Sequence, residues 1–206
     1  MCYLGFDIGA RKGLGMKDTR ERLLATGERL FRTQGYSGTG LKQLAQEAEA
    51  PWSSMYHFFP GGKQQLGAEV VRCAADRYGA LLAKAFASCS DPADAVAAIF
   101  KAEARILSES DFRNGCPVAS VTLDVASTVE ELRVPCAKAF DLWIGTIAQG
   151  LGATGLAAKE AKALASYVLA SLEGAIVLSR AEKRVAPLER TGTFVVQTVR
   201  TKLGQR

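Results

Sequence analysis

At 206 residues, with 48% hydrophobic and 23% charged side chains, the chain has the length and composition of an ordinary folded protein, which excludes a disordered or fibrous architecture. A formal net charge of +5 at pH 7 suits a polyanionic partner without establishing one. Cys2, Cys73, Cys89, Cys116 and Cys136 form no C-x-x-C pair, and His57 is the single histidine, so neither a disulfide framework, a metal nor a cofactor is expected.

Residues 1–16 are glycine-rich and lack periodicity, which predicts a disordered extension. Met16-Lys17 immediately precedes a helix start and offers an alternative translation start. The apolar patch from Cys2 to Phe6 comes before the basic pair Arg11 and Lys12, the reverse of a secretory signal. Charges or glycines interrupt every apolar run short of the roughly 20 residues that a membrane span needs, so the expected location is the cytoplasm, with no membrane partner.

From Thr19, the residues Leu23, Leu24, Leu30 and Phe31 recur at helical spacing until Gly35, predicting a first helix. Thr39 then stands as a candidate N-cap before Leu41, Leu44 and Ala45, which share one face of a second helix ending near Ala48. Glu49, Ala50 and Pro51 separate it from a third helix over residues 52–59, stopped by Pro60-Gly61-Gly62. Two short helices on so tight a turn form a helix-turn-helix. Met55, Phe58 and Phe59 read as core residues that join it to the next helix.

Longer alanine- and leucine-rich helices follow over residues 63–87, 92–109, 117–126, 128–152, 157–183 and 187–203. No β-alternation interrupts them. The chain therefore reads as all-α, with an N-terminal three-helix helix-turn-helix domain over residues 17–62 and a helical domain over residues 63–206.

Residues 35–66 read GYSGTGLKQLAQEAEAPWSSMYHFFPGGKQQL. This closely resembles the DNA-binding region of TetR-family transcriptional regulators: G-[FY], then Thr, then L-x-x-[IL]-A, a tight turn, and [LM]-Y-H-x-F closing the recognition helix. The F-P-G-G-K variant is similar to the subgroup that includes repressors of lincomycin resistance. The resemblance implies base-edge or groove contacts from Trp52, Ser53 and His57, and phosphate contacts from Thr39, Lys42, Ser54, Tyr56 and Lys63. Phosphate contacts set affinity and register, while base contacts set specificity. Lys63 opens a helix, so its ammonium and the helix N-terminus can meet one phosphate together. Trp52 departs from the family pattern, which more often places a lysine, a glycine or another small or polar residue there. An indole offers one donor and an apolar face suited to a thymine methyl.

The second domain is expected to bind a small lipophilic effector, as the resemblance implies. Candidates to line its pocket are Phe100, Glu103, Leu107, Phe112, Thr122, Phe140, Trp143, Ile147 and Tyr167; each also reads as ordinary core. Asn114-Gly115-Cys116-Pro117 resembles a family element that turns the chain into the sixth helix, with Pro117 at its first position. A redox role for Cys116 stays open, although the sequence shows no basic neighbour to activate it.

Residues 168–188 resemble the family's penultimate helix. With the last helix they would form a four-helix homodimer interface through Leu172, Ala175, Ile176, Phe194, Val195 and Val199, core packing within one subunit being the alternative. The expected function is a repressor released from operator double-stranded DNA by its effector. The competing reading is a dimeric ligand-binding or adaptor protein with weak or lost operator binding. No catalytic residues are expected: there is one histidine, no carboxylate constellation and no cofactor motif, and Gly61-Gly62-Lys63 lacks the glycine spacing and the following Ser or Thr of a P-loop.

Overall fold

The computed structural model describes residues 16–153 and 155–204; the extension expected at the N-terminus lies outside them except for Met16. Among the described residues the chain forms nine α-helices and no strand. They are α1 (Met16–Gln34), α2 (Leu41–Glu47), α3 (Trp52–Phe58), α4 (Gly62–Ser88), α5 (Pro92–Glu109), α6 (Pro117–Val125), α7 (Glu130–Gly152), α8 (Ala158–Glu182) and α9 (Ala186–Gly204). Every helix read from periodicity is present, with ends shifted by three residues at most.

Local chemistry explains the breaks. Asp91 caps α5 by accepting the Ala93 N–H at 2.9 Å, with Pro92 in the first turn. Cys116 does the same for α6, its Sγ accepting the Ala119 N–H at 3.4 Å ahead of Pro117. Between α5 and α6, Asp111 and Phe112 both take left-handed φ values, 51° and 58°, and α8 ends on Lys183 at φ 50°.

The described residues divide into two compact units. The first holds residues 16–76 and Cys116–Ala139; the second holds Arg77–Gly115 and residues 140–204. The division therefore falls inside α4 and α7 and differs from the sequence boundary at residue 62. The physical reason is that α4 is one unbroken helix and that α6 packs against α1, joining the helix-turn-helix unit from far along the chain.

In the first unit Leu23, Leu30, Phe31, Leu44, Met55, Phe59, Leu66, Val70, Val121 and Leu132 form a closed core, drawn from α1 to α4 and from α6 and α7. Burial of this size is the main stabilising force for three short helices that would not persist alone. Phe58 lies at the edge of that core, half-buried.

In the second unit α9 packs along both α5 and α8. Gly192 permits the approach of α5, since a Cβ there would lie 3.0 Å from the Phe100 Cβ. The inward stripe of α8 includes Leu172, Ala175, Ile176 and Ser179, and the Ser179 hydroxyl accepts the Leu188 N–H at 3.3 Å. This corrects the interface expectation. Leu172, Ala175, Ile176, Val195 and Val199 are buried within a single chain, as in the alternative of core packing within one subunit, and of the six only Phe194 is exposed, at 68%. A second stripe of α8, on the opposite side, exposes Gly174, Val177 and Leu178. With apolar residues on both sides, α8 is long and apolar enough by length and composition to cross a membrane, and 44% of its most apolar window is buried inside the fold.

Candidate nucleic-acid interface

The turn of the helix-turn-helix is held from behind by α1. Ala48 to Pro51 reverse the chain, with Glu49 at φ 50° and the Ala50 N–H donating to the Ala45 carbonyl at 2.9 Å. Arg22 of α1 donates from Nε to the Ala48 carbonyl at 2.9 Å and from Nη2 to the Glu49 carbonyl at 3.2 Å. A guanidinium thus satisfies two carbonyls that the end of α2 leaves without helical partners. On the other flank, Gln34 donates to Gln43 at 2.9 Å, Gln43 donates to Glu47 at 2.9 Å, and Arg29 pairs with Glu47 at 2.6 Å. Hydrogen bonds from Arg29 first and Gln43 second hold the Glu47 carboxyl below the usual range.

With its back fixed, α3 turns Met55 into the core, leaving Trp52, Ser53, Tyr56 and His57 exposed. Trp52 is 43% and Tyr56 52% exposed; one turn apart, they meet edge to face at 5.5 Å between ring centroids and 86° between planes. His57 packs its ring on Phe58 at 4.9 Å. Ser54 is half-buried, and its N–H donates to the Pro51 carbonyl at 2.9 Å. Lys42 projects outward from α2.

The loop between α1 and α2 carries a cluster that sequence reading missed. Gly35 takes φ 78°, and a Cβ there would lie 2.8 Å from Asp124 Oδ2. That same oxygen accepts the Ser37 N–H at 3.0 Å, so the α6 carboxylate fills the room that the glycine leaves. Lys63, in the first turn of α4, donates to the Ser37 carbonyl at 3.4 Å and lies 4.4 Å from the Tyr36 ring centroid. Burial lowers the Lys63 pKa below that of an ordinary lysine, and the Asp124 charge offsets part of this.

Thr39 requires a correction. The N-cap of α2 is Gly40, with no side-chain cap, while the Thr39 hydroxyl donates to the Gly35 carbonyl at 2.7 Å. At 1% exposure Thr39 closes the loop from inside and has no surface to offer a phosphate.

The pocket candidates differ in burial and in the unit they belong to. Phe100, Leu107, Trp143 and Ile147 are buried; Glu103, Phe112 and Phe140 are half-buried; and Tyr167 is exposed. Thr122 belongs to the first unit, where its hydroxyl donates to the Val118 carbonyl at 2.8 Å, whereas the other candidates belong to the second. An aromatic group joins Trp143 to Phe140 at 5.6 Å and to Tyr78, which the sequence did not single out, at 4.9 Å. A cavity of about 500 Å³ lies between α8 and α9, bordered by Leu156, Glu160, Leu164, Tyr167, Thr198 and Lys202 among others; of the candidates it includes Tyr167 alone. Arg180 of α8 donates to the Phe112 and Arg113 carbonyls, both at 3.4 Å, and pins the loop that carries Phe112.

Comparison with known proteins assigns this arrangement. A family model for bacterial regulatory proteins of the tetR family matches residues 23–70, and one for the LmrA/YxaF-like transcriptional regulator C-terminal domain matches residues 92–193. The uncharacterized HTH-type transcriptional regulator YxaF of Bacillus subtilis is 35% identical over 185 residues, covering 90% of this chain and 97% of that protein. The chain belongs to the TetR family. A second TetR-family relative, the HTH-type transcriptional regulator LmrA of the same species, is 36% identical and covers 83% of this chain and 91% of its own. A TetR transcriptional regulator from Legionella pneumophila shares the fold at a TM-score of 0.78 and 25% identity, covering 87% of this chain and 96% of that one. As a TetR-family protein the chain is a helix-turn-helix DNA-binding transcriptional regulator, and its nine described helices form the TetR fold.

Proposed function

We propose that this protein represses transcription as a homodimer on operator DNA and is released by a small lipophilic effector. One observation carries the DNA-binding part: the exposed face of α3, formed by Trp52, Ser53, Tyr56 and His57 and backed by a clamped turn. In the major groove that face would put Trp52, Ser53 and His57 at base edges, with Lys42, Ser54, Tyr56 and Lys63 on phosphates. A partner copy would pack on Gly174, Val177, Leu178 and Phe194, an outward apolar surface that a lone chain leaves in water. Phe112, Phe140 and Trp143 in the second unit are the aromatic groups for the effector, with Glu103 as a polar one. A repressor of this kind works in the cytoplasm, where its operator lies.

Fluorescence-anisotropy titration of the full chain, on a duplex from DNA beside its own gene and on a scrambled duplex of equal length, tests the proposal. Tighter binding to the first, weakening steeply with salt, is expected. Equal affinity for both by a well-folded dimer would overturn operator recognition and favour an adaptor. Effectors are found by screening lipophilic compounds for a rise in Tm coupled to DNA release; binding without release would refute derepression.

A further inference from the structure

We infer that the specificity-determining element of α3 is the Trp52–Tyr56 aromatic pair, and that it selects thymine by its C5 methyl group at one position in each operator half-site. The inference rests on the reading that α3 enters the major groove.

The helix sequence WSSMYHF contains no Arg, Lys, Asn, Gln, Asp or Glu. Those side chains read guanine or adenine by paired hydrogen bonds, or cytosine by accepting from its amino group. None of that discrimination is available from α3. Its exposed polar groups are a serine hydroxyl, a phenol and one imidazole, each able to donate or accept, and so tolerant of several base edges. Trp52 adds a single N–H donor and a broad apolar surface.

The major-groove feature that an apolar surface distinguishes is the thymine methyl. Trp52 is the first residue of α3, the end that meets base edges in helix-turn-helix docking. Its ring is braced rather than free, because Tyr56 stands edge to face against it at 5.5 Å. A braced indole loses less rotamer freedom on binding than a solvated one and presents a fixed wall to the groove. Both rings remain about half exposed, so the pair retains surface to bury against DNA. Selectivity is thereby assigned to apolar contact, and charge is left to Lys42 and Lys63, which lie off the helix.

The experiment starts with selection of duplexes from a library with a randomised core, using the full chain. The enriched duplex is then remade with uracil replacing thymine one position at a time, which removes only the methyl. One position per half-site is expected at which uracil weakens binding about four-fold, matching the roughly 0.8 kcal/mol of one buried methyl. Trp52→Ala should bind the thymine and uracil duplexes alike, and Tyr56→Ala should lose most of the discrimination. Trp52→Phe, which keeps an aromatic surface, should retain part of it, so the test holds even if the alanine variant folds poorly. Uracil sensitivity absent at every position, or unchanged in Trp52→Ala, would overturn the inference and leave operator binding intact. No enriched sequence at all would overturn both.

Discussion

On the proposed reading Lys63 and Trp52 divide the work of binding between charge and shape, and single substitutions separate the two. Lys63→Ala should weaken specific and random duplexes to the same extent and flatten the salt slope by about one unit, while changes at Trp52 or Ser53 should reorder preference among operator variants. Equal losses at both sites on every duplex would contradict that division. The burial that lowers the Lys63 pKa adds a pH dependence. A bound phosphate favours the ammonium, which Lys63 surrenders at lower pH than an exposed lysine does. Affinity should therefore fall as pH rises through that lowered value toward 10.5, and Lys63→Arg should remove this component. Anisotropy titrations across alkaline pH measure it. The exposed position of Trp52, Tyr56 and His57 was legible in the sequence because their helix is short and its buried side is marked by Met55, with Phe59 just beyond its end. Thr39 was misread because a hydroxyl one residue ahead of the true N-cap has the same local signature as a cap. Arg22 and Asp124 were invisible for a different reason: each bonds main-chain atoms far along the chain, 26 and 87 residues away for Ala48 and Ser37, and a backbone partner leaves no trace in residue identity.

Between elements, the helix-turn-helix depends on polar contacts that α1 and α6 make with its two turns. Arg22→Ala strips a charged donor from two carbonyls and should cost about 1.5–3 kcal/mol, read as a lower Tm of the DNA-binding unit and a weaker operator complex. Gly35→Ala meets two obstacles together, a left-handed φ of 78° and a carboxylate oxygen where its Cβ would go. A destabilisation of about 1–3 kcal/mol by chemical denaturation is expected, and a neutral outcome would show that the loop can shift off Asp124. Helix number and position were readable from the period of the apolar residues and from breakers such as Asp91-Pro92 and Pro60-Gly61-Gly62. Which side of α8 faces inward was not. Leu172, Ala175 and Ile176 lie on one side and Val177 and Leu178 on the other, and two apolar stripes on one helix give no sequence cue to choose between them. The choice is made by α9, whose Val195 and Val199 lie on its own buried face.

For the molecule as a whole, the proposed outward face of α8 and α9 should set the oligomeric state. Replacing Leu178 and Phe194 together by glutamate leaves the buried stripe untouched and should convert dimer to monomer in sedimentation equilibrium, with a large loss of operator affinity, since one recognition helix then binds without its twin. A dimer that persists would place the interface elsewhere. The chain also carries two tryptophans, one in each compact unit: Trp52 is 43% exposed on α3, and Trp143 is 1% exposed beside Tyr78 and Phe140. They form a natural pair of optical reporters. Acrylamide should quench the red-edge emission of Trp52 and spare the blue emission of Trp143. Operator DNA should extinguish the first signal, and an effector lodged, as proposed, among the aromatic rings should perturb the second, so one unlabelled sample reads out both halves of the proposed switch.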